Sequence, residues 1–311
     1  MRATDYRGTM ETSRRVALAS LLGVGSACLF AARSQAKDIT FGVIIPDYGG
    51  PYYDAMLAGI DSTASKLSMT RKFLGPYKEA EQAVVYVQNA ISVGVDGILL
   101  ATGGGVGQAL GPALSRAQRA GVSVVIIGQA VEGANAVILP DLGAVGRLQA
   151  SLLPKSGGTV IFLTVPGSSW ASELERSFAA SVDPGRVNIM VEPVGSYSGE
   201  EAQARTEAAL QKVGNAIAVV AVSDILALGA LQAVKGAGKE IEVIGVDATK
   251  EGRAAAGNGR FFTIALRPEL QGAKAVETLH GLVQSGVCPN GQKPPCPPQT
   301  VTPDLVAGGA K

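Results

Sequence analysis

The sequence predicts an α/β protein of two lobes, each a doubly wound sheet of parallel strands, with several chain crossings between them. Short runs rich in Val and Ile recur without clean apolar–polar alternation, the pattern of parallel strands covered on both faces. Amphipathic segments of helical spacing separate these runs, and strand–helix alternation builds parallel sheets. The units are too many for one sheet, and 311 residues at 47% hydrophobic and 17% charged suffice for two cores.

Residues 1–36 stand apart. Arg14 and Arg15 precede an apolar stretch from Val16 to Ala32, and Ser34-Gln35-Ala36 forms a small-x-small cleavage pattern, which together read as a secretory signal peptide. The stretch is rich in Ala and Gly and short for a membrane span. Its Ser-Arg-Arg-x-x-Leu order resembles a twin-arginine signal; a Sec leader also begins basic, so both routes stay open.

From Lys37 onward the expected strands are Ile39–Pro46, a weaker one near Arg71–Leu74, Gly97–Ala101, Ser123–Ile127, Thr159–Thr164, Asn188–Pro193, Ala218–Ala221, Glu242–Asp247 and Phe261–Leu266. Tyr53, Met56, Leu57, Ile60, Ala64 and Leu67 recur at helical spacing, as do Leu270, Ala273, Val276, Leu279 and Val283. The divide falls near "VILPDLGAVG", with a new series from about Asp141. A second crossing is expected near Leu266–Arg267–Pro268, after which a long helix over 268–286 returns to the first lobe. The tail "QTVTPDLV" is expected to add an edge strand. The expected lobes are thus 37–140 with 267–298, and 141–266 with 299–311.

Charge and side-chain inventory exclude several functions. Net charge is +1, which speaks against nucleic acid as a partner. Without residues 1–36, which hold five Lys/Arg and two Asp/Glu, it is about −2, still near neutral. Cys288 and Cys296 can pair in an oxidising compartment, closing a small loop of seven intervening residues with three prolines. Two thiols are too few for a metal site, and the single histidine, His280, sits in an apparent helix. No metal or other cofactor is expected. There is no Gly-x-Ser-x-Gly, and "ATGGGVGQALG" fits neither phosphate-loop spacing, so it reads as close backbone packing at a cleft rim. Asp224 and Asp247 follow different strands and could face one cleft for acid–base work. Asp224 opens "DILALGAL" and reads more readily as a helix cap.

The stretch "FGVIIPDYGGPYYDAMLAGI" places Tyr48, Tyr52 and Tyr53 at the mouth of the first strand, three of only seven tyrosines. Ligands of open parallel sheets bind beyond the carboxyl ends of strands, and tyrosine offers a broad apolar face with one hydroxyl. The cluster therefore reads as a binding wall. This opening, with "AISVGVDGILLATGG", "AVVAVSDILALGALQAVKGAG" and "EVIGVDATKEGRAAAGNGRFFTIALRPELQGAKAVETL", resembles the type I periplasmic sugar-binding proteins of the ribose-binding-like family over about residues 38 to 306. The family's repressor cousins carry a DNA-binding segment where this chain has the leader-like residues.

The resemblance implies two Rossmann-like lobes that close on a small-molecule ligand about a multi-strand hinge. Its stacking aromatics fall on Tyr52, Tyr53 and Tyr197, its acceptor carboxylate on Asp247, and its asparagine position on Ser223; Thr102 lies in the loop after the third strand. An Asp-Arg pair of the family becomes Gly128 and Gln129. A ligand arginine falls near Glu173 and Leu174, and a glutamine becomes Leu266, next to Arg267. Each buried hydroxyl of a pyranose without a partner costs roughly 1–3 kcal/mol. With those partners gone and Trp170 near the same wall, the expected ligand is less hydroxylated than a hexose, is held through waters, or is a cation on aromatic faces with Glu173 as counter-charge. The implied protein is an exported, monomeric, non-enzymatic binding protein serving the membrane permease of an ABC importer. A sensor coupled to a chemoreceptor or histidine kinase is the alternative, and a periplasmic enzyme using Asp224 and Asp247 is the third reading.

Overall fold

The computed structural model describes residues 38–47, 51–102, 107–257 and 259–307. The leader and Tyr48 lie outside the described residues.

The first series runs β1 (Thr40–Pro46), α1 (Pro51–Lys66), β2 (Thr70–Tyr77), α2 (Ala80–Val93), β3 (Gly97–Thr102), α3 (Gly107–Arg119), β4 (Ser123–Gly128) and β5 (Ala136–Pro140). The second runs α4 (Leu142–Ser151), β6 (Gly158–Thr164), α5 (Ser169–Ala179), β7 (Val187–Pro193), α6 (Gly199–Lys212), β8 (Ala216–Ala221), α7 (Asp224–Gly236), β9 (Glu242–Val246), α8 (Lys250–Ala256) and β10 (Phe261–Ala265). The chain closes with α9 (Pro268–Ser285), β11 (Gln299–Val301) and β12 (Asp304–Ala307).

Two six-stranded sheets result, ordered β11-β5-β4-β3-β1-β2 and β12-β10-β9-β8-β6-β7. All pairings are parallel except that of β12 with β10. In β1 the alternation that sequence hid is real: Phe41, Val43 and Ile45 join the core under α1 and α9, while Ile44 joins the core under α2 and α3. Both faces being buried, β1 is apolar throughout. The second sheet has its own core around Phe162, Phe178, Val220 and Ile244, with the two phenyl rings stacked 5.3 Å apart.

Helix ends follow local chemistry. Asp141, Ser168, Ser198, Ser223 and Thr249 cap α4, α5, α6, α7 and α8 by accepting backbone N–H bonds. α9 leaves the second sheet at Leu266 and packs against α1 and the first sheet, as expected. A Cβ at Gly59 would stand 2.0 Å from the Glu269 carbonyl oxygen, so only glycine allows α1 and α9 to approach this closely.

Three expectations need correction. β5 was not anticipated; its five residues were folded into the divide. α9 departs from the expected face at its start: Leu270 is 41% exposed while Gln271 is wholly buried, and Val276 and Leu279 of the expected stripe are buried. The tail forms two strands, and β11 pairs with β5, so residues 299–301 belong to the first sheet rather than the second lobe. The reason lies upstream. Cys288 and Cys296 are disulfide-bonded, and the Cys296 N–H donates to Asn135 O at 2.7 Å, which delivers the chain to the edge of β5 before it crosses to β10.

Candidate functional site

Within each sheet the order of the five leading strands is the same: β2-β1-β3-β4-β5 and β7-β6-β8-β9-β10. Chain direction across the sheet reverses between β1 and β3, and between β6 and β8, and such switch points open a crevice at the strands' carboxyl ends. The described candidate residues all follow carboxyl ends: Tyr52 and Tyr53 after β1, Thr102 and Gln129 at β3 and β4, Trp170 and Glu173 after β6, Tyr197 after β7, Ser223 after β8, Asp247 after β9 and Arg267 after β10.

Tyr52 joins the lobes. It belongs to the first turn of α1, yet packs against both the core under α1 and α9 and the core of the second sheet. Its ring meets Tyr53 edge-on, with centroids 5.2 Å apart and planes at 83°. Its hydroxyl donates to Gln271 Oε1 at 3.2 Å, and burial pushes its pKa up, so it stays protonated. Gln271 Nε2 in turn donates to the Leu266 carbonyl at 2.8 Å. Nothing in the sequence reading pointed to Gln271; its only signal was an amide in the apolar stripe of a long helix.

On the second lobe, Tyr197 is 41% exposed and shares a 3.1 Å hydrogen bond with the Ser168 hydroxyl, tying the loops after β7 and β6 together. Burial raises its pKa, with a further rise from the Asp247 charge. For Tyr52 too, the Asp247 charge adds to the rise that burial causes. The Asp247 carboxyl is held well above the usual carboxylate range, chiefly by burial and then by the charge of Asp224; the Asp224 N–H, which it accepts, opposes this. The backbone here is unusual. Asp247 and Ala248 have φ of 106° and 52°, and Arg267 has 57°. Left-handed non-glycine residues of this kind collect where surrounding structure holds them for a task.

Asp224 supplies that support. Its Oδ2 accepts from Thr249 N (2.7 Å) and Thr249 Oγ1 (3.0 Å), and its Oδ1 from Thr263 Oγ1 (2.6 Å). Thr263 Oγ1 also accepts the Ala248 N–H at 3.0 Å, fixing the left-handed pair. A Cβ on Gly252 would lie 2.0 Å from Asp224 Oδ2, so the carboxylate is sealed in. Burial raises the Asp224 pKa, and the three hydrogen bonds and Arg253 work against that rise. Saturated in this way, Asp224 is the anchor of the β9–α8 loop.

The remaining candidates have partners within the protein. Thr102 Oγ1 donates to Gln129 O at 3.1 Å, joining the ends of β3 and β4, and the Gln129 side chain is exposed. The Ser223 hydroxyl caps α7, accepting Leu226 N at 3.4 Å. Glu173 is bonded through both oxygens to Arg176 on its own helix. Arg267 pairs with Glu269 at 2.8 Å and with Asp304. Trp170 is partly buried against the second core. A separate cavity of about 400 Å³ beside α9 and the disulfide loop includes none of these residues. Among the described residues no cluster of His, Cys, Asp or Glu could hold a metal ion.

Two lobes of one strand order, linked by three crossings and presenting aromatic and acidic groups at their carboxyl ends, define a two-lobed α/β binding protein. Residues 41–286 match the family described as the periplasmic binding protein domain, and the chain belongs to that family, in its type I, ribose-binding-like form. The ribose import binding protein RbsB of Bacillus subtilis is 27% identical over 256 residues, covering 79% of this chain and 83% of RbsB. Among solved structures, a periplasmic ribose ABC transporter protein of Conexibacter woesei superposes with TM-score 0.77 at 18% identity, over 87% of this chain and 92% of that one. The Caulobacter myo-inositol binding protein bound to myo-inositol gives 0.70 at 23% identity, over 86% and 93%. The relatives are binding proteins of ABC transporters, and a solute-binding role is common to them and this chain.

Proposed function

We infer that this chain is exported and captures a small neutral solute between its lobes, delivering it to the permease of an ABC importer as a monomer without turning it over. The observation that carries the reading is Tyr52, which packs against the cores of both lobes at the mouth of β1. Tyr52, Tyr53 and Tyr197 supply ring faces, and Asp247 takes hydrogen bonds from the solute. Trp170 extends the apolar wall. Thr102, Gln129, Ser223, Glu173 and Arg267 are engaged elsewhere or exposed, and the reading does not rest on them. Relatives named for ribose, xylitol and myo-inositol support a sugar or polyol.

The charge of the guest follows from the groups at hand. Asp247 is acidic, while Arg176, Arg253 and Arg267 are bonded to Glu173, to the Ala248 carbonyl, and to Glu269 and Asp304. That supports a neutral guest over a sugar acid or sugar phosphate. Asp224 is sealed by three donors and so is not free to work with Asp247, which supports binding over catalysis.

Mass spectrometry of the solute that co-purifies with the protein, followed by calorimetric titration, tests this. Tyr53→Ala and Tyr197→Ala are each expected to weaken binding at least about tenfold, or about 1.4 kcal/mol, with the fold unchanged by circular dichroism. Full affinity in both variants would remove the aromatic wall from the reading.

A further inference from the structure

The hydroxyl of Tyr52 is not directed to a guest. It is spent on Gln271, which is wholly buried, and the other end of the Gln271 amide is spent on the Leu266 carbonyl. Leu266 is the residue by which the chain leaves β10 for the first lobe, and the next residue, Arg267, has a left-handed backbone and bonds to Asp304 at the start of β12. Two of the three crossings therefore meet at this point, and a single side-chain amide connects it to the aromatic wall.

We propose that Gln271 is a positioning residue that couples the ring of Tyr52 to the hinge: movement of the ring is passed through the amide to the Leu266 carbonyl and so to the angle between the lobes. The amide suits this role because it donates at one end and accepts at the other along one rigid plane. Burial makes both bonds costly to lose, so ring and crossing move together rather than separately. The inference rests on the solute-capture reading only for its purpose; the coupling itself is a property of the free protein.

The test uses nitroxide labels on Asn89→Cys in α2 and Ala208→Cys in α6, both exposed, with the lobe-to-lobe distance distribution recorded by pulsed electron paramagnetic resonance without added solute. Tyr52→Phe removes the first bond and keeps the ring. Gln271→Met removes both and keeps the shape. Each is expected to broaden the distribution and shift it to longer separations, and the double variant to go no further than Gln271→Met alone. A wild-type distribution in Tyr52→Phe would overturn the proposal, as would a double variant whose shift is the sum of the two singles. Should Gln271→Met fail to fold, Tyr52→Phe decides alone. Any co-purified solute is first removed by reversible denaturation and dialysis, so the result judges the coupling whether or not solute capture holds.

Discussion

Asp247 shows how much one residue's setting can differ from its sequence context. The motif "VIGVD" places a carboxylate after a strand, but its left-handed backbone, its burial and its neighbour Asp224 are properties of the fold. A raised carboxyl pKa means that the folded state binds the proton more tightly than the unfolded chain. Stability therefore falls as pH rises from the ordinary carboxylate value through the raised one, and the full penalty is present above it. Asp247→Asn removes that penalty. Its melting temperature is expected to exceed wild type at pH 7.5, above the ordinary carboxylate range. The gain should shrink as pH falls through the raised value and vanish only below the ordinary carboxylate value of about 3.9. Differential scanning calorimetry across that range checks it; a gain that persists undiminished at pH 4 would point to packing instead. The same substitution should weaken solute binding, since stability and function oppose each other at this position.

Among the elements, α9 was legible as a helix, and its expected stripe holds at Val276 and Leu279 but fails at Leu270. There the helix start is positioned by Gly59 against Glu269 and by the Gln271 bonds, which turn the amide rather than Leu270 inward. Periodicity scores hydrophobicity and so passes over a buried amide. β11 escaped for a related reason: three residues carry too little pattern, and its place depends on where the disulfide loop delivers the chain. That loop is expected to stabilise the first lobe. Replacing Cys288 and Cys296 together by Ser should cost about 2.5 kcal/mol through the freed entropy of the unfolded loop. Chemical denaturation measures the loss, and solute affinity should be unaffected, because the loop closes beside the edge strand β5 and holds none of the candidate ligand residues. A large loss of affinity would mean that β11 helps to set the hinge.

For the whole molecule, closure is a matter of differential affinity: a solute favours the closed form only by touching both lobes better there. Small-angle scattering is expected to show a smaller radius of gyration with the co-purifying solute than without it. Thermal-shift titration with glucose, galactose and ribose should give small shifts, since the resemblance implies that a family arginine falls on Gln129, a glutamine on Leu266 and a second arginine near Glu173 and Leu174. A large shift with any of the three at micromolar concentration would show that water or backbone groups replace those partners.

From its sequence alone the chain determined its two largely parallel sheets and its family, because these depend on local periodicity and on short motifs that stay contiguous. Only the tertiary structure decided which polar side chains are free for a guest. Ser223, Glu173, Arg267 and Asp224 carry the right chemistry, yet each is bonded within the protein, and Gln271 became part of the site through contacts with residues 219 and 5 positions away. A hydrogen bond is a matter of a few tenths of an ångström and of direction, and those are set by packing across the fold rather than by neighbours along the chain.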